Sequence, residues 1–192
     1  MTTTRIPAVK DGAMRAQPPA VHHPPLQIAP ETFLIQQLHG EGKAPVAVNV
    51  NSLVIRGAEP IIVDTGTPNN REQWLADVFS IVDPADVRWI FLSHDDVDHY
   101  GNLEQVLAAC PNAVFVTSFF IGERMGVLLD NPLPRSRWVN DGDLLDVGDR
   151  LLVAARPPVY DNPTTRACST PARASTGRLT RSPRRCLPSS RT

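Results

Sequence analysis

Two imidazoles and three carboxylates fall within six residues at His94-Asp95-Asp96-Val97-Asp98-His99. Neutral imidazole nitrogens combined with carboxylate oxygens are the donors that zinc, iron and manganese take. Three carboxylates this close repel one another unless a cation neutralises them, which by itself argues for a bound metal. His94, Asp96 and Asp98 alternate, so an extended backbone turns them to one side, and His99 enters from the turn that follows. A capping reading competes, because Asp98 or Asn102 could serve a helix beginning near Gly101. Capping accounts for one polar residue, not for the whole cluster.

Such a loop has to be held by its neighbours. Residues 87–92 (VRWIFL) read as a buried strand, and the C-terminal end of such a strand is where open α/β sheets place ligands. Residues 60–64 (PIIVD) form a second apolar run that ends in Asp64-Thr65-Gly66, which makes Asp64 a further candidate for the site. Upstream, 32–38 and 46–55 read as strands, the second alternating at Val46, Val48 and Val50. A helix is expected over 70–82, with Trp74, Val78 and Ile81 on one face. Further helices are expected over 101–109 and 119–125, and strands over 113–116 and 151–155. Trp138-Val139 and Leu144-Leu145 alternate with the turn signals Asp141-Gly142 and Gly148-Asp149. This order implies an α/β protein built from layers, with Trp74, Trp89, Trp138 and Cys110 in its core.

Composition narrows the class. Of 192 residues 42% are hydrophobic, enough to fill one core. A net charge of −1 creates no field that would favour nucleic acid or an anionic membrane, and no apolar run is long enough to span a bilayer. Three cysteines make neither a disulfide framework nor a paired metal clip, and the N-terminal residues lack the apolar stretch of a leader, so a cytoplasmic protein is expected. Three segments follow: a proline-rich irregular arm over 1–30, a domain over 31–166, and a tail over 167–192. Residues 164–192 carry seven arginines and no acid, and such a stretch cannot offset its ordering entropy, so the tail is expected to be disordered.

The stretch SHDDVDHYGN, with its preceding apolar strand and the Asp64-Thr65-Gly66 turn, resembles the H-x-H-x-D-H signature of the metallo-β-lactamase superfamily. The resemblance implies an αββα sandwich over roughly 32–166. Asp96 stands where most members have a second histidine, a departure similar to the flavodiiron branch, whose pattern has an acid there. By this resemblance two divalent metal ions, zinc or iron, are implied. His94 and Asp96 would hold one and Asp98 and His99 the other, with Asp98 also the catalytic residue that orients a bridging hydroxide. Family members supply further ligands downstream, including histidines, yet no histidine follows His99. Any downstream ligand is then an acid, a Tyr or a Cys; Asp161, beside Tyr160, is the candidate, with a turn-forming Asp before Asn-Pro as the competing and favoured reading.

The tail has the composition of G+C-rich DNA read out of frame. A shift of one nucleotide over 172–182 gives an alternating apolar strand ending in an aspartate, so a truncated or frameshifted sandwich is expected. Three functions compete. The first is a metal-dependent hydrolase acting on a small-molecule substrate, with an inactive truncated form as its variant. The second is a flavodiiron-like non-haem diiron oxidoreductase or oxygen sensor, drawing electrons from a separate chain. The third is a non-catalytic remnant. A half-sandwich exposes a sheet face and an edge, which leaves a homo-oligomer open.

Overall fold

The computed structural model describes residues 22–39, 46–130, 133–160 and 163–170. It has three layers: helices, a seven-stranded sheet, and a three-stranded sheet. In chain order the large sheet is β1 (Leu26–Ala29), β2 (Thr32–His39), β3 (Val48–Ile55), β4 (Ile61–Val63), β5 (Trp89–Phe91), β6 (Val114–Thr117) and β7 (Ser136–Trp138), each beside the next. Strands β1 to β4 pair antiparallel, and β4 to β7 pair parallel. The change of direction follows from the connections. Short connections join β1 to β2 and β3 to β4, whereas α1 (Arg71–Ile81), α2 (Val97–Tyr100), α3 (Leu103–Ala109) and α4 (Phe119–Leu128) occupy the crossovers that parallel neighbours require. The small sheet is β8 (Leu144–Asp146), β9 (Leu151–Ala155) and β10 (Ala167–Ser169), antiparallel in the order β10-β9-β8.

Strands β4 and β5 are buried on both faces, which is why they read as unbroken apolar runs. On one side Ile62 and Ile90 join Trp74, Val78, Leu103, Val106 and Ile121 of the helices. On the other, Ile61, Val63 and Phe91 meet Leu145, Val147, Leu152 and Ala154 from the small sheet and its turns. Among the described residues no helix covers the outer face of the small sheet, where Leu144 and Leu151 are exposed. The described residues form a partial sandwich, as expected.

Several expectations are corrected. Leu26–Ala29, in the expected arm, pair with β2, and Ala167–Ser169, in the expected tail, pair with β9. Backbone bonding to a ready sheet edge orders short segments that bury little apolar surface of their own. Residues 1–21 and 171–192 lie outside the described residues. Helix α4 runs beyond 125 to Leu128. Trp138 is 39% exposed rather than core, lying against Gly122 and edge-on to Phe119. Trp74 and Cys110 are fully buried, and Trp89 partly so.

Candidate metal centre

The loops after β4 and β5 meet because those strands are parallel neighbours, with Val63 opposite Phe91. Asp64 ends β4 with a positive φ of 57°, a conformation aspartate tolerates better than most residues. Its amide donates to the Phe91 carbonyl at 2.8 Å. The Asp64 carboxylate is buried, and both oxygens are engaged. Ser93 donates its amide to Oδ1 at 2.7 Å and its hydroxyl to Oδ2 at 2.6 Å, and His99 Nδ1 lies 3.0 Å from Oδ2. Asp64 thus stands behind His99 as the carboxylate that orients the ring, the arrangement common around histidine ligands.

His99 is gripped twice. Its carbonyl accepts the Thr65 amide at 2.7 Å and the Thr65 hydroxyl at 3.1 Å, while its ring meets Asp64. Burial by itself lowers the His99 pKa, but the Asp64 bond and charge, joined by Asp98 and Asp96, outweigh it and leave the pKa above the ordinary value. With Nδ1–H donating to Asp64, Nε2 is left on the other side of the ring, 3.7 Å from Asp98 Oδ2. On the other side of the loop, His94 is buried and its Nδ1 lies 3.5 Å from Asp96 Oδ2. The two rings are 5.2 Å apart.

These separations bear on a metal. Two donors about 2.1 Å from one ion, at a tetrahedral angle, lie about 3.4 Å apart. The His94–Asp96 and His99–Asp98 pairs lie near that spacing, at 3.5 and 3.7 Å, so each offers one imidazole and one carboxylate donor close enough to share an ion. The Asp96 amide donates to His94 Nδ1 at 3.2 Å, a bond that an ion at that nitrogen would replace. Among the described residues no three His, Cys, Asp or Glu side chains converge as a finished cage. Asp161 lies outside the described residues.

The sequence missed part of this arrangement. Asp98 stands on the short helix α2, not on an extended segment, and His99 follows it on the same helix in place of the expected turn. Asn102 does not cap α3 through its side chain. It is fully buried and donates to the Thr65 carbonyl at 2.7 Å and the Thr67 carbonyl at 3.2 Å, joining the two loops. Gly101 sits in the same joint, where a Cβ would come within 2.6 Å of the Val97 carbonyl and 2.7 Å of the Gly66 carbonyl. Ser93 was visible in the sequence only as the residue before His94.

Comparison with known proteins adds the family. The profile of the metallo-beta-lactamase superfamily matches residues 45–163. A protein named diflavin flavoprotein A 1 from Thermosynechococcus vestitus is 30% identical over 139 residues, covering 69% of this chain and 24% of that protein. Among solved structures, the rubredoxin oxygen:oxidoreductase of Desulfovibrio gigas superposes with a TM-score of 0.68 at 17% identity, covering 76% of this chain and 38% of that one. The flavodiiron protein of Giardia intestinalis superposes with a TM-score of 0.66 at 18% identity, covering 79% and 38%. The chain spans about a quarter of the length of the curated relative cited and under half of the solved ones.

Proposed function

The chain belongs to the metallo-beta-lactamase superfamily, and we propose that its His94–His99 loop holds a pair of divalent metal ions, iron in preference to zinc, for oxidoreductase chemistry on a small oxidant such as dioxygen. The observation that carries this reading is the pairing of donors: one imidazole and one carboxylate at 3.5 Å, and a second such pair at 3.7 Å. A carboxylate at Asp96 favours the harder metal. Relatives named for flavin, diiron and oxygen chemistry favour this reading over the hydrolase that the sequence put first.

Each residue has a task. His94 and Asp96 would bind one ion, and Asp98 and His99 the other. Asp64 accepts a hydrogen bond from the Nδ1–H of His99 and so keeps the Nε2 lone pair on the side of Asp98. The His94 ring is buried, while the Asp96 side chain is 67% exposed, so a small molecule would reach the pair from the Asp96 side. Iron bound there would supply the one-electron redox steps that no side chain of the loop can perform. For a further coordination position, Asp161 is the candidate within this sequence.

Anaerobic titration of the metal-free chain with ferrous iron, followed by Mössbauer spectroscopy and oxygen uptake, tests this reading. Saturable iron binding with reductant-dependent oxygen consumption, both lost in His94→Ala, is expected. Zinc binding with ester or thioester hydrolysis and no oxygen uptake would restore the hydrolase. No binding of either metal would make the chain a remnant.

A further inference from the structure

Asp95 lies between His94 and Asp96 but takes no part in the donor pairs. Its carboxylate, 13% exposed, forms an ion pair with the Nε of Arg124 on α4. The same guanidinium donates from Nη2 to the Thr164 hydroxyl at 3.2 Å. Two residues further on, the Arg166 amide donates to the Ser93 carbonyl at 3.0 Å. The backbone just before His94 and the side chain just after it are therefore both tied to the 163–166 segment, one directly and one through Arg124.

We propose that Arg124 is a positioning residue for the metal loop. By holding Asp95 against α4, it fixes which way residues 94–96 present their side chains, so that His94 and Asp96 stay aimed at one ion. This inference rests on the metal-binding reading above. The forked guanidinium is what makes the clasp: it meets a carboxylate and a hydroxyl of two different segments at once, which an ammonium does less well. Arg124 is 49% exposed but Asp95 only 13%, so Arg124→Ala also lowers stability by taking this partner from a mostly buried carboxylate. The effect on the loop is therefore read at the metal site and not from the unfolding transition.

The test uses cobalt(II) alone, titrated into the metal-free full chain and read by its visible absorption. Arg124→Ala is expected to weaken cobalt binding about 10- to 100-fold, as removal of other supports of metal ligands does, and to shift the absorption band. Arg124→Lys should recover only part of the affinity. Asp95→Asn should match Arg124→Ala, and the double variant should be no worse than either single one, because both remove the same link. Unchanged cobalt affinity and spectrum in Arg124→Ala would overturn the proposal. Should the parent chain take up no cobalt, the metal reading itself fails, and amide hydrogen exchange over residues 93–96 decides the clasp. Faster exchange in Arg124→Ala upholds it, and unchanged exchange overturns it.

Discussion

Asp64 is where stability and metal binding can be separated. Its carboxylate accepts the Ser93 amide, the Ser93 hydroxyl and His99 Nδ1 in a nearly water-free setting. In Asp64→Ala the Ser93 hydroxyl can turn elsewhere, but the Ser93 amide and the His99 ring N–H are stranded. Each stranded donor costs about 1–3 kcal/mol. A non-glycine side chain at a φ of 57° adds up to about 1 kcal/mol beyond what aspartate bears there. The sum is about 4 kcal/mol, a large part of the roughly 5–15 kcal/mol typical of a domain. Asp64→Asn keeps the shape and the bond to the Ser93 amide, so its cost is about 1–2 kcal/mol. The amide NH2, however, then faces His99 Nδ1 and makes that nitrogen the acceptor, which puts the proton on Nε2, where a metal needs a lone pair. Urea unfolding of the metal-free variants, with the slope checked for constancy, measures the first effect, and cobalt titration measures the second. Asp64→Asn should be only mildly destabilised yet bind metal at least about 10-fold more weakly. If Asp64→Ala unfolds within about 1 kcal/mol of the parent, or if Asp64→Asn binds cobalt normally, the role given to this carboxylate is wrong.

Other consequences can be checked singly. Gly101→Ala would drive its methyl group against the Val97 and Gly66 carbonyls and the Pro68 ring, so a loss of about 2–3 kcal/mol in urea unfolding is expected, where a neutral result would deny the tight joint. Burial pushes the fully buried Cys110 thiol up from 9.0 to about 11. The unfolded chain therefore releases this proton first, so the contribution is fully present below about pH 9 and is lost as pH climbs toward 11, about 3 kcal/mol in all. Cys110→Ala should flatten that part of the stability profile. Burial, and after it the Asp64 charge, raise Cys168 to about 12, so its alkylation at pH 8 should be slow in the folded chain and fast in urea.

Much of the scaffold was legible because burial on both faces leaves a plain mark. The runs before Asp64 and Ser93 had to be apolar throughout to sit between two layers, and their parallel pairing brings the two candidate loops together. The candidate donors stood out in the sequence because His and Asp are concentrated so tightly there, and the structure brings His94 toward Asp96 and His99 toward Asp98. What stayed hidden depends on partners distant in sequence. Asn102 looks like a helix cap but bonds across to Thr65 and Thr67, and Asp95 and Arg124 meet only because α4 packs beside the loop. The four-residue helix α2 was too short to leave a periodic pattern. Strand β10 owes its existence to the edge of β9 more than to its own residues, and Trp138 looked like core because a strand pattern does not tell a covered face from an open one.

The central claim is that the His94–His99 loop binds metal through two donor pairs. Elemental analysis after anaerobic loading with equal iron and zinc, followed by desalting, tests it most directly in the parent, His94→Ala and Asp98→Ala chains. The account predicts up to two ions per parent chain, iron exceeding zinc, and the loss of at least one ion in each variant. A parent chain that emerges free of metal, or three chains with the same metal content, would contradict it.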